Sequence, residues 1–290
     1  AAWPTGRVLD PFEATSDVRA GRDWWSLRPL RDSATPTDRI SSGHNWIDGY
    51  VDRELARAEL SPAAPAEPAT LLRRLTYDLT GLPVDPIDRD RFLTDTRPDA
   101  YERQVDRLLA SPQFGVRWAR LWLDAVRYAD TSGYERDQEK PFAWRYRDWV
   151  VDAINADKPF DRFVREQLAG DELPDADRST LIATGMLRLG TWNDEPNDPE
   201  EYQYERLEDL VNVTCSAFLA LTVKCARCHD HKFDPIPQTD YYRVANAFWA
   251  GYVQPAEREL LGGPPQDALG HDDILGWTDR SSQLLPLHRL

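Results

Sequence analysis

A mainly α fold is what the sequence predicts: an irregular multi-helix bundle entered by an extended, loop-rich N-terminal segment. Three observations carry that expectation. Apolar residues recur at three- and four-residue spacing in run after run, proline and glycine fall at the edges of those runs, and no apolar/polar alternation is sustained beyond a few residues. There is no internal repeat and no low-complexity tract.

The elements follow in order. Residues 1–45 are rich in Pro, Arg and Asp with weak periodicity, so they are expected to wrap the surface with Trp24 and Trp25 as anchors. A helical domain is expected over 46–252. Its first stripe is Ile47, Tyr50, Val51, Leu55 and Ala58, broken by the Pro/Ala connector 62–68. Leu71, Leu72, Leu75, Leu79 and Leu82 form the next, stopped by Gly81 and Pro83. Phe92 belongs to a short helix, and Tyr101, Val105, Leu108 and Leu109 to another. Ser111-Pro112 reads as a cap followed by proline at the first helical position, launching Phe114, Trp118, Leu121, Trp122, Ala125 and Val126. Helical patterns continue through 149–154, 160–168 and 181–186. A longer one runs from about Glu200 to Val223, and a last one from Asp240 to Trp249. Residues 253–290 read as a tail or linker.

The long helix is expected to deliver Cys225-Ala226-Arg227-Cys228-His229, in a chain with only three cysteines and five histidines. Two thiols three residues apart lie on one side of a helical turn and can form thioethers with the two vinyl groups of a haem. The next residue's imidazole reaches the iron from the same side. Cys225, Cys228 and His229 are therefore the cofactor-binding candidates, with His229 the proximal iron ligand. Zinc or non-haem iron is the alternative, with His231 as a further ligand, but four donors would then crowd into seven consecutive residues. A disulfide in a structural scaffold is a third reading. His231 follows His229 too closely to pass around the haem edge, so distal candidates are Met186, His44, His271 and His288. Arg227 and Lys232 are candidates to neutralise haem propionates, and Asp230 or Asp234 to accept a proton from the ring of His229 or His231. The bland alternative leaves Arg227 pointing to solvent. Cys215 reads as a small buried hydrophobe.

Composition narrows the classes. A net charge of −15 opposes binding to nucleic-acid phosphates. The longest apolar stretch, Cys215 to Val223, is far too short to span a bilayer. No nucleotide-binding glycine loop, zinc-protease or serine-hydrolase motif occurs. The acidic run over 194–201 groups oxygen ligands that calcium could use, although its order does not match an EF-hand loop.

Several longer motifs go beyond the pentapeptide. They include Leu72-Arg73-Arg74-Leu75 with Asp78-Leu79-Thr80-Gly81-Leu82-Pro83, Arg117-Trp118-Ala119-Arg120 with Trp122-Leu123-Asp124, and Arg127-Tyr128-Ala129-Asp130 with Gly133-Tyr134. Downstream lie Trp144-Arg145-Tyr146-Arg147-Asp148-Trp149-Val150, Gln167-Leu168-Ala169-Gly170-Asp171 and His229-Asp230-His231-Lys232-Phe233-Asp234-Pro235. With these motifs in this order over roughly residues 45–250, the chain resembles the planctomycete cytochrome c-like domain family. The resemblance implies export to the periplasm or cell envelope, a covalent haem c, and a redox partner protein or fused domain. Small soluble cytochromes c differ: their haem motif lies near the N-terminus and a ligand methionine follows it, whereas no methionine follows Cys228 here. The expected function is that of a haem-c electron-transfer protein, on its own or as the relay part of a larger oxidoreductase. The alternative is an envelope enzyme or carbohydrate-binding module holding a non-haem metal in the Cys/His cluster.

Overall fold

A computed structural model describes residues 12–30, 45–135, 137–193 and 197–249. Among them are ten α-helices and no strand, only an isolated bridge between Thr131 and Glu139. The mainly-α expectation therefore holds.

The helix ends follow local chemistry. In α1 (Trp46–Arg57), the Asn45 side chain accepts from the Ile47 and Asp48 amides while Asp48 reaches back to the cap. Pro68, the last residue of the expected connector, instead opens α2 (Pro68–Thr80), and Gly81 closes it at φ 70°, a left-handed conformation that glycine adopts without a Cβ clash. Asp85 caps α3 (Pro86–Leu93), and α4 (Ala100–Leu109) follows. Ser111 caps α5 (Pro112–Ala125), as its sequence suggests. Next come α6 (Ala143–Asn155), α7 (Phe160–Ala169), and α8 (Arg178–Ala183), where Asp177 and Thr180 form a reciprocal cap. Last are α9 (Pro199–Leu219) and α10 (Gln238–Trp249).

Two apolar clusters share α9. Leu210 and Val213 join Leu123 and Val126 of the α5 end, Tyr146, Trp149 and Val150 of α6, Phe163 of α7 and Met186 in the main core. Leu207, Val211 and Cys215, spaced by four, turn a different face toward Val223, Ala226, Tyr241 and Ala245. The helix is buried from two sides, so it carries apolar residues on both.

Three expectations change. The pattern toward Val223 overran the long helix: α9 ends at Leu219, because Ala220 takes a left-handed φ of 54° and the Leu221 amide turns back to the Cys215 carbonyl. Cys225 therefore sits on a separate 3-10 turn, Lys224–Arg227. The pattern 181–186 splits into α8 and a 3-10 turn, Thr184–Arg188, which seats Met186. In the N-terminal segment, Trp25 is 74% exposed and Trp24 lies partly open, whereas Phe12 is 4% exposed under the Arg19 guanidinium, 4.2 Å from its ring. Phe12 is the anchor, because it is the ring that the segment folds over.

Among the described residues, no helix is long and apolar enough to cross a membrane.

Candidate functional site

The Cys/His segment is held between α9, α10 and the N-terminal segment 12–30. The 3-10 turn is pinned by its own backbone: the Cys228 and His229 amides both point to the Cys225 carbonyl, at 3.3 and 3.4 Å. Ala226 is fully buried in the second core cluster, and this faces Cys225 and Cys228 outward. Both are exposed, unbridged thiols.

Arg227 does not point to solvent. Its guanidinium pairs with Glu208 of α9, and Lys224 Nζ lies 3.1 Å from the other carboxylate oxygen. Burial works hardest against the Arg227 charge, but the hydrogen bond and charge of Glu208, with smaller help from Tyr241 and Cys228, together outweigh it and its pKa stands above the usual arginine value. The Arg227 carbonyl accepts from Gln238 Nε2 and the Tyr242 hydroxyl, both at 3.0 Å, which fastens the turn to α10. The Asp230 carboxylate accepts from the Gln238 amide at 2.8 Å, satisfying the first amide of α10. Lys232 Nζ stands 5.0 Å from the centre of the Phe233 ring.

The two histidines differ in which nitrogen is engaged. His229 is exposed and its Nδ1 lies 2.7 Å from the Asp230 carbonyl oxygen. A carbonyl only accepts, so Nδ1 carries the proton and the Nε2 lone pair is left outward. His231 is buried, and its Nδ1 lies 2.9 Å from the Asp234 amide and 3.1 Å from the Asp234 carboxylate. One nitrogen cannot accept from the first and donate to the second at once. The amide is a permanent donor, so in this arrangement Nδ1 accepts and the neutral ring's proton lies on Nε2. His229 thus presents a ligand lone pair. His231 presents a donor, and its backbone takes part in the packing: its amide bonds the Ile236 carbonyl, and its own carbonyl accepts from Arg19.

Other candidates lie elsewhere. Met186 is fully buried in the main core, among Ala183, Leu187 and Leu189, not in the cluster that carries Val223 and Ala226. His44, His271 and His288 lie outside the described residues, as does part of the acidic run 194–201. Within that run, Asp198 Oδ1 accepts from the Glu201 amide, the use an acid at a helix start ordinarily has. Cys215 is buried, as its surroundings in sequence suggest, and burial pushes its thiol pKa up.

Sequence reasoning missed Glu208 and the Arg19–Ala20 contact, where the Ala20 amide bonds the Phe233 carbonyl at 2.7 Å. Glu208 is one of several acids on α9, and nothing in spacing marks it as the one that receives Lys224 and Arg227. Beside the segment lies a cleft of about 620 Å³ with mostly apolar walls, including Trp24, Leu27, Leu221, Val223, Ile236 and Tyr241. Cys225, Cys228 and His229 do not line it.

Fold and site define an all-helical domain that displays a C-x-x-C-H turn at its surface, braced by one buried acid. Its residues 46–251 match the family described as PSCyt2, protein of unknown function (DUF1549), and the chain belongs to that family. No curated protein and no solved structure matches the chain.

Proposed function

We propose that this domain carries a covalently attached c-type haem and serves as an electron-transfer module of the cell envelope, working with a redox partner protein or fused domain. The observation that carries the reading is the 2.7 Å contact of His229 Nδ1 with the Asp230 carbonyl, which assigns the tautomer. The Nδ1 proton is committed to the Asp230 carbonyl, so Nε2 is an exposed lone pair next to two exposed thiols on one turn.

The donor set fits a haem better than a single ion. An ion needs its ligands to converge on one point, and among the described residues no three His, Cys, Asp or Glu side chains do so. Haem attachment makes no such demand, because the two thiols and the imidazole reach different atoms of a wide macrocycle. When bound, the haem would supply one-electron exchange at iron. Cys225 and Cys228 would hold it by thioethers and His229 Nε2 would ligate it. The Asp230 carbonyl orients that ring and raises its basicity through Nδ1–H, and Glu208 fixes the turn through Arg227.

The test is export of the chain with a haem-maturation system, followed by intact mass and a pyridine haemochrome spectrum. The expected result is one covalent haem. Each of Cys225→Ser and Cys228→Ser should lose one thioether, and the double variant should leave the haem extractable. A protein that returns with zinc and no Soret band, or covalent haem retained in the double variant, overturns the proposal.

A further inference from the structure

On the face of α9 turned away from the Cys/His segment, positive charge gathers at a point where the acids among the described residues do not balance it. Around Asp209 stand Arg127, Lys140 and Arg206, three cations and one carboxylate among the described residues, in a protein whose net charge is −15. Arg127 grips Asp209 through Nε at 2.7 Å and through Nη2 at 2.5 Å, and Arg206 Nη1 lies 3.1 Å from the same carboxylate. That single charge is therefore already shared by two guanidinium groups.

The remaining bonds of these cations go mostly to the backbone of 189–191. Arg127 Nη2 and Arg206 Nη2 reach the Leu189 carbonyl at 3.3 Å, Lys140 Nζ the Gly190 carbonyl at 2.8 Å, and Arg206 Nη1 the Thr191 carbonyl at 2.8 Å. Gly190 adopts φ 93°, and a Cβ there would fall 2.7 Å from Asp209 and 3.0 Å from Arg127, so only glycine lets the cations close around this loop. Arg206 Nε is buried with no hydrogen-bond partner. Burial, reinforced by Arg206, Arg127 and Arg188, pulls the Lys140 pKa down to about 8. The cluster nevertheless opens outward, since Thr191 is exposed and Lys140, Gly190 and Arg127 are partly so.

Collecting like charges in a partly desolvated place is unfavourable unless an anion offsets them. We infer that the Arg127–Lys140–Arg206 cluster is a binding site for an oxyanion group, a carboxylate, sulfate or phosphate carried by a small molecule or polymer, with Lys140 and the free edge of Arg127 as its direct contacts. Lys140 donates one of its three protons to Gly190 and has two left, and Arg127 Nη1 uses one of its two on the Val126 carbonyl. The site is independent of the haem reading, being built on the opposite face of α9.

Thermal shift and titration calorimetry on the full chain, with sodium sulfate, phosphate and acetate against chloride at matched ionic strength, test it. At least one oxyanion should bind saturably, and the one preferred identifies the class. Lys140→Gln should weaken that affinity at least tenfold, Lys140→Arg should keep it within a few-fold, and Arg165→Gln, at an exposed position of α7, should leave it unchanged. No saturable response beyond that of chloride overturns the inference, as does Lys140→Gln binding like the parent. A response that emerges only when Asp194 and Glu195 are neutralised together would also sink it, because the chain's own acids would then be the counterions.

Discussion

At the residue scale, three cysteines with different surroundings should react differently. Cys215 is buried and its thiol pKa is raised, whereas Cys225 and Cys228 are exposed. In haem-free native protein, iodoacetamide should therefore modify Cys225 and Cys228 and spare Cys215, read by peptide mass. Once thioethers have formed, none of the three should label. Met186 is sealed in the main core, so the oxidised haem protein should lack the near-infrared sulfur-to-iron band of a methionine-ligated haem. Met186→Leu should leave the haem spectrum unchanged and report only on packing. Lys140 gives a pH prediction. Its folded pKa, about 8, lies below the ordinary lysine value, so above pH 8 the folded state holds fewer protons than the unfolded one and stability rises with pH until the unfolded lysine also titrates. Oxyanion affinity should fall over the same rise, since Lys140 loses its charge.

At the element scale, the site depends on how a short turn is fastened between two helices. Glu208 receives Arg227 and Lys224 with its side chain only 10% exposed, and its loss leaves Arg227 without a counter-charge in a partly buried place. Arg227 is about one-third open and Lys224 mostly so, which discounts the penalty for a fully buried pair. Glu208→Ala should cost about 2 kcal/mol in urea unfolding and lower the yield of covalent haem. Asp230→Ala removes the acceptor for the first amide of α10 and should cost about 1 kcal/mol. Its backbone carbonyl survives, so the His229 tautomer and the haem spectrum should persist.

For the whole molecule, the segment 12–30 ties the chain's beginning to the far end of the site. Phe12 is its buried anchor, and Arg19 and Ala20 bond the carbonyls of His231 and Phe233. Phe12→Ala should remove about 3 kcal/mol of packing but release only this segment. Helical circular dichroism would stay, while hydrogen exchange at Ala20 and binding of an apolar dye to the cleft lined by Trp24 and Tyr241 would rise. Global loss of helix in that variant would show instead that the segment is part of the cooperative core.

The sequence by itself determined what is local. Helix identity followed from three- and four-residue spacing, and helix ends from Asn45, Gly81 and Ser111-Pro112, because a cap or a left-handed turn is decided within a few residues. It also singled out Cys225, Cys228 and His229 as candidates, by their spacing. Only the tertiary structure decided the rest. It ended α9 at Leu219, before the left-handed Ala220, and gave Arg227 to Glu208, nineteen residues away. It separated His229 from His231 by the partner of each Nδ1, and it assembled Arg127, Lys140, Arg188 and Arg206 from three distant stretches of chain. Charge pairing and tautomer depend on which groups meet after folding, and no local pattern records that meeting.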